Sequence, residues 1–309
     1  MKKTIYRPLI ILMLVFTLAI MFLAYYSTGV VGRWETREMI SERLEQLSNS
    51  LDENIKRSTE ITQEIYENYK SKSRITAIML SKNTGIMQSD VSFEEMRVII
   101  GASSISVSDG SGVIEYSTSL SGNKEMVNKE FLPAVDNKVF SEAMLYHNNG
   151  KTTVLTGSSR LDADGVIQIE YDPQDAEMIL KLNDLSRFIT DIPLMVNGHF
   201  ALIDSETYKY ISHTDSIMNG TGVQFPADEF EEEKGWFRSE FEGEDVLVQY
   251  LKHDGYILIG TLPFSEIYSH RNSVVVWLAF ALSTSAFITI LTVRNKILIY
   301  NSHQEKNNL

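Results

Sequence analysis

The stretch WETREMISERLEQLSNSLDENIKRSTEITQEIYENYKSKSRITAIMLSKN runs from Trp34 to Asn83 without a Gly or a Pro, between Gly32 and Gly85. Apolar residues recur at Ile40, Leu44, Leu47, Leu51 and Ile55, and again at Ile65, Tyr69, Ile75 and Ile78. Steps of three and four are the period of one helix face, so the stretch predicts a single long helix. At 1.5 Å per residue the rod would be roughly 75 Å long. Asn83 and Gly85 are residue types that close helices in the left-handed conformation. The stripe turns polar at Ser58 and Thr62, whereas a coiled-coil seam stays apolar over successive heptads. The reading is therefore a stalk: Trp34–Ile55 pairs with a second copy of the chain, and the later half packs on its own domain.

The stalk follows a membrane-length segment. Leu9 to Ala24 is apolar apart from Thr17, and the run extends to Val31. That is longer than a signal-peptide core and lacks a clean small-x-small cleavage site, which favours a retained span. Ser273 to Val293 is a second uncharged run, followed by Arg294 and Lys296. Lys2, Lys3 and Arg7 flank the first span on its outer end. The positive-inside tendency then puts both termini in the cytoplasm and residues 32–272 outside.

Net charge is −13, and the acidity is concentrated between the spans, where all Asp and Glu residues but Glu305 lie. A nucleic-acid partner calls for the opposite, a basic patch. With no cysteine, disulfides, thiolate metal sites and a cysteine nucleophile are excluded. No phosphate loop, Gly-x-Ser-x-Gly elbow or zinc-helix motif occurs, so the expectation is no enzyme, no cofactor and no metal. Asp162-Ala163-Asp164-Gly165 opens like a calcium loop but lacks the Glu at its twelfth position. His199 and His213 read as structural polar residues, and Glu231–Glu233 as a solvated face.

Between the spans the chain repeats one grammar. Ser104–Ser108, the turn Asp109–Gly112 and Val113–Ser117 form a hairpin signal. A helix is expected over Glu130–Leu145, with Phe131, Val135, Val139, Phe140, Met144 and Leu145 inward. The turn Asn148-Asn149-Gly150 leads to strands over Lys151–Thr156 and Val166–Tyr171, joined at Asp162–Gly165. Pro173 then opens a helix to about Ile189. The second half gives strands at His199–Ile203, Tyr208–Ser212, Trp236–Phe241, Val246–Leu251 and Tyr256–Leu262. Two α+β units with one antiparallel sheet each are implied.

This order resembles the double Cache (dCache) family of bacterial extracytoplasmic sensors, in which a long N-terminal helix carries two PAS-like subdomains. The resemblance rests on Ile105-Ser106-Val107-Ser108-Asp109-Gly110-Ser111-Gly112-Val113-Ile114, on Arg160 to Ile169 with its Arg-x-Asp-x-x-Gly hairpin, on Gly198 to Asp204 followed by Ile211-Ser212-His213, and on Gly260 to Ile267 before the second span. It covers about residues 33–270 and both spans. The implied layout is a cytoplasmic N-terminus (1–8), a span (9–31), a stalk (32–84), a membrane-distal Cache subdomain (85–190), a membrane-proximal one (191–270), a second span (273–293) and a cytoplasmic tail (294–309). The family's Arg-x-Trp-Tyr cluster for amino acids has no match; the strand reads Ile114-Glu115-Tyr116-Ser117-Thr118.

What the resemblance implies for function is a small-molecule pocket in the distal subdomain. Tyr116 and Ser117 would supply stacking and a hydroxyl. Arg160 would pair with a carboxylate or phosphate, unless Asp162 or Asp164 occupies it; Tyr116 is equally readable as core. Glu170 sits where the amino-acid branch places a carboxylate for an ammonium group. The sixteen-residue tail is too short for an output domain, which points to a truncated receptor or a cytoplasmic signalling partner. The competing reading is a non-enzymatic interaction protein whose outer domain binds a protein or envelope component with no small ligand.

Overall fold

The computed structural model describes residues 3–119, 125–148, 150–190 and 192–307. Lys2 of the cationic flank, Asn149 of the expected turn and Asp191 at the expected subdomain boundary lie outside the described residues. Two compact units are present, one from Leu51 to Asp184, the other combining residues up to Ser50 with Leu185 onward. They are termed the central and the terminal unit.

Helix α1 runs unbroken from Lys3 to Lys82. It passes through Gly32 and includes the whole stretch that the spacing predicted as helix, bar its last residue. Its end differs from expectation. Neither Asn83 nor Gly85 takes a positive φ; Thr84 is right-handed helical and leads at once into α2 (Gly85–Gln88). Next comes α3 (Asp90–Ile100), a helix not anticipated from the sequence. The Ser89 side chain accepts from the Ser92 amide at its start, and Gly101 closes it at φ 69°, a left-handed cap.

In the central unit, strands β1 (Ala102–Ser108), β2 (Ile114–Ser117), β3 (Ser141–Asn148), β4 (Lys151–Ser159) and β5 (Val166–Tyr171) form one antiparallel sheet in the order β2-β1-β5-β4-β3, and α4 (Pro173–Leu182) follows. The helix expected over Glu130–Leu145 is corrected: Lys129–Ala134 is a short 3₁₀ turn containing Pro133, and Ser141–Asn148 is strand β3, paired with β4 from Ser141↔Ser158 to Asn148↔Lys151. Met144 and Leu145 sit on opposite faces of this strand, each against a core. Consecutive apolar residues on a strand covered on both sides imitate a helical stripe. Val139, expected inward, is exposed. The helix from Pro173 also stops early, at Leu182 rather than near Ile189.

One face of this sheet, with Ile105, Val107, Val154, Ile167 and Ile169, packs on Tyr69, Ala77, Leu80, Phe93, Met96 and Ile179 from the helices. The other face carries Ile114, Leu155 and Val166 beneath Val127, Phe131 and Ala134. Ser73, buried on α1, ties into the sheet edge: its Oγ lies 2.7 Å from Ser158 Oγ, which lies 3.0 Å from Ser141 Oγ.

The terminal unit repeats the order. Strands β6 (His199–Asp204), β7 (Lys209–His213), β8 (Lys234–Phe241), β9 (Glu244–His253) and β10 (Tyr256–Pro263) form an antiparallel sheet β7-β6-β10-β9-β8. Its core is aromatic, with Phe230 edge-on to Phe237 and Tyr250. The chain leaves through α5 (Phe264–Ile267) and α6 (Ser269–Asn307). Ile40, Leu44, Leu47 and Leu51 are buried within the single chain. Ile40 lies over Gly260, where a Cβ would come within 2.7 Å of its Cγ2. The apolar stripe of the first half of the stalk thus packs on its own chain, whereas Trp34 is exposed. The α+β class, the long N-terminal helix and the two antiparallel sheets are as the sequence implies. Segments of α1 and of the helical region Phe264–Lys296 are long and apolar enough to cross a membrane.

Candidate functional site

The Arg-x-Asp-x-x-Gly hairpin proves to be a clasp. Arg160 Nη1 donates to Glu115 Oε2 at 2.7 Å and to the Ser108 carbonyl at 3.1 Å, while Nε donates to Asp162 Oδ1 at 3.1 Å. Gly165, at φ 149°, presses on the same carbonyl; a Cβ there would lie 2.2 Å from Ser108 O. The Val166 amide donates to Ser108 Oγ. The two hairpin turns, β1–β2 and β4–β5, are thus fastened at one end of the sheet. Burial, the largest single influence on the Arg160 pKa, lowers it, but the hydrogen bonds to Asp162 and Glu115 and their charges together outweigh it and raise the pKa. The guanidinium is enclosed, its charge matched by Asp162 and Glu115.

Tyr116 lies on the helix-covered side of the sheet. It pairs with Val107 and packs on the helix-covered core. Its neighbour Ser117 faces the other way, and there the sheet is polar. Ser117 Oγ lies 3.1 Å from Ser106 Oγ. Register brings Ser106 beside Gln168, and Ser104 beside Glu170, which also pairs with Leu155. Glu170 accepts from Thr153 Oγ1 at 3.0 Å and from Ser104 Oγ at 3.4 Å. Gln168 Oε1 accepts from the Asn128 amide at 2.7 Å. Of the four residues singled out from sequence, then, Ser117 and Glu170 share one face; Tyr116 is on the opposite face and Arg160 is at the turn end.

A short roof crosses this face. Met126 bridges to Val113, the Val127 amide donates to Gly112 O, and the chain then drops into the 3₁₀ turn that carries Phe131. Phe131 reaches the sheet only because residue 157 is a glycine: a Cβ there would be 2.2 Å from Phe131 Cγ. Phe131 fills the end of the face near the turns. Ser104, Ser117, Gln168 and Glu170 at the other end are half-buried, and Ser106 and Thr153 are buried.

Chemically this is a carboxylate set among hydroxyls on a partly dry surface. No ion pair among the described residues involves Glu170. A carboxylate has about four acceptor positions, so two hydroxyl donors leave room for N–H groups of a bound molecule. Ser104, Ser106, Thr153 and Gln168 were not singled out from sequence. The signal was available: Ser104, Ser106 and Ser108 alternate with Ile105 and Val107, which marks one polar and one apolar face.

No family model matches the chain, and no curated protein matches it. Solved structures do. The ligand-binding domain of Mlp24 with asparagine is 13% identical and is covered over 99% of its length by 80% of this chain, with a TM-score of 0.35. The ligand-binding domain of the Campylobacter jejuni chemoreceptor Tlp3 in complex with L-valine is 14% identical over 98% of its length and 78% of this chain, TM-score 0.33. The sensor domain of the V. cholerae histidine kinase DctB is 12% identical over 98% of its length and 72% of this chain, TM-score 0.35. The solved structures to which the chain is similar are sensory domains of chemoreceptors and histidine kinases.

Proposed function

We propose that the chain is a membrane-anchored sensor that binds a small molecule bearing an amine or ammonium group on the polar face of the central sheet. Glu170 receives the cationic nitrogen, and Ser117, Ser104 and Gln168 meet the polar remainder under the roof formed by residues 125–134. The observation that carries the reading is the half-buried Glu170 carboxylate, flanked by hydroxyls and without an ion-pair partner among the described residues. Desolvating a carboxylate without a counter-charge is costly, and a bound ammonium removes that cost. Both spans are retained, both termini are cytoplasmic, and residues 32–272 are outside. Binding favours one arrangement of the helices that lead to the spans over another, which is all that a population shift needs. Output passes to a cytoplasmic partner, and two copies pair through the spans and the exposed side of Trp34–Ile55.

The test is calorimetric melting of the full chain in lipid nanodiscs with a panel of amines, amino acids, organic acids and purines. A ligand at 100 times its dissociation constant adds about 2.7 kcal/mol to the folded state, a rise of several degrees. Hits confined to amine-bearing compounds, lost in Glu170→Gln, support the sensor. Silence across the panel favours an outer domain that binds a protein or envelope component instead.

A further inference from the structure

A second site lies in the terminal unit, where the chain enters and leaves its apolar helices. A groove of about 880 Å³ is lined by Arg33, Trp34 and Arg37 of α1, by Trp236 of β8, and by Tyr268 and Arg271 of the exit segment. On α1 the spacing of 33, 34 and 37 places these three side chains on one face. Arg238 and Asp245 also line the groove, but they pair with each other. That leaves Glu244 as the one remaining carboxylate on the lining, against three guanidinium groups.

Two of these cations are held by ring faces. The Arg37 guanidinium carbon lies 4.3 Å from the Trp236 ring centre, and that of Arg271 lies 4.0 Å from Tyr268 and 4.2 Å from Tyr25. Stacking occupies the flat faces of a guanidinium and leaves its in-plane N–H donors for acceptors; on Arg271, Nε and Nη2 donate to Asn272 Oδ1 at 3.2 and 3.0 Å, which leaves Nη1 for an oxyanion. Arg37 Nε is buried with no hydrogen-bond partner among the described residues, and burial pulls the Arg37 pKa below its ordinary value. A desolvated donor without an acceptor is costly; an anion in the groove supplies the acceptor.

Position fixes which anion. The apolar run of α1 ends at Val31 and that of α6 begins at Ser273, so the groove sits at the outer mouth of both. Trp and Tyr at such a level are the residues of a membrane–water interface, where phospholipid phosphates lie. We propose that this groove binds the phosphodiester headgroup of an anionic phospholipid of the outer leaflet, with Arg33, Arg37 and Arg271 on the phosphate. The site stands out because the region between the spans is otherwise acidic. It joins the two helices that carry the signal at one lipid. This inference rests on the membrane reading above.

The experiment is native mass spectrometry of the full chain released from detergent carrying equal phosphatidylglycerol and phosphatidylcholine. The expected result is a phosphatidylglycerol adduct retained in preference to phosphatidylcholine. It should be weakened about tenfold in Arg37→Gln and in Arg271→Gln, the size of one charge-assisted hydrogen bond, and unchanged in Arg57→Gln, whose side chain pairs with Glu53 on the exposed stalk. If Arg37→Gln lowers the melting temperature, the exposed Arg33→Gln carries the test. Equal retention of both lipids, or variants that hold phosphatidylglycerol like the parent, overturns the proposal. Displacement of the lipid by millimolar glycerophosphoglycerol or inorganic phosphate overturns the lipid source and assigns the site to a soluble phosphate. Flotation with phosphatidylcholine vesicles separates the two readings: a chain that fails to float contradicts the membrane reading, whereas one that floats without lipid preference contradicts only the headgroup site.

Discussion

Replacing Gly157 with alanine tests how the roof is seated. Gly157 lies in mid-strand, paired with Glu142 and Gln168, and its φ is not positive. By backbone preference alone, alanine should be the better residue there, by about 0.5–1 kcal/mol. The added Cβ, however, would stand 2.2, 2.5 and 2.6 Å from Phe131 Cγ, Cδ1 and Cβ, where ordinary contact begins at 3.4 Å. Phe131 is 1% exposed and has to lift by more than about 1 Å, an overpacking that costs about 1–3 kcal/mol. For a unit of this size that is a fall of roughly 3–12 °C in melting temperature. The sign should reverse in a Phe131→Ala background, where the space is open and alanine at 157 is stabilising. All three tryptophans, Trp34, Trp236 and Trp277, lie outside Leu51–Asp184, so calorimetry of the full chain is the suitable readout. A Gly157→Ala cost that is the same in both backgrounds, or absent in the parent, would refute the seating of Phe131 on the sheet.

Three further outcomes follow from the geometry. Ser158→Ala strips both Ser73 and Ser141 of a hydroxyl partner; a loss of about 1–3 kcal/mol is expected by calorimetry, against little change for an exposed serine such as Ser50. Arg160→Met leaves Asp162 and Glu115 without their cation and opens the clasp, costing roughly 2–3 kcal/mol while leaving ligand affinity within about threefold, less than one hydrogen bond is worth. His213 is buried, stacked 5.5 Å from His199, and its Nδ1 accepts from the Asp215 amide. Burial and the neighbouring His199 hold its pKa below the ordinary 6.5. The native state therefore binds fewer protons than the unfolded one just below that pH. Stability is fully present above about pH 6.5 and is lost as pH falls through the folded value. Melting curves between about pH 8 and pH 5 should show this slope, and His213→Gln should flatten it.

The long helix, both sheets and nine of the ten strands were legible because their period was visible: three and four in α1, two in the hairpins. Strand β3 was not, since Met144 and Leu145 are covered on opposite faces and no polar alternation survives. α3 is marked in sequence only at its ends, by Ser89 and Gly101. The exposed Val98 and Ile99 blur its apolar face. At the site, sequence gave alternation without direction: Tyr116 and Ser117 must face opposite ways, but only the pairing with Val107 and Ser106 shows which of them meets the helices. For Arg160 both roles were on offer, and the choice depended on Ser108 and Glu115, distant in sequence. Glu170 was flagged by analogy alone; its hydroxyl neighbours come from β1 and β4, brought together by register.

On the proposed reading Glu170, not Arg160 or Tyr116, anchors the small ligand. Isothermal titration of an amine-bearing hit into the full chain, its Glu170→Gln variant and its Arg160→Met variant tests this most directly. Glu170→Gln should weaken binding by about tenfold or more, the worth of one charge-assisted hydrogen bond, while Arg160→Met binds like the parent. Unchanged affinity in Glu170→Gln, with loss in Arg160→Met, would contradict it and move the ligand to the turn end of the sheet.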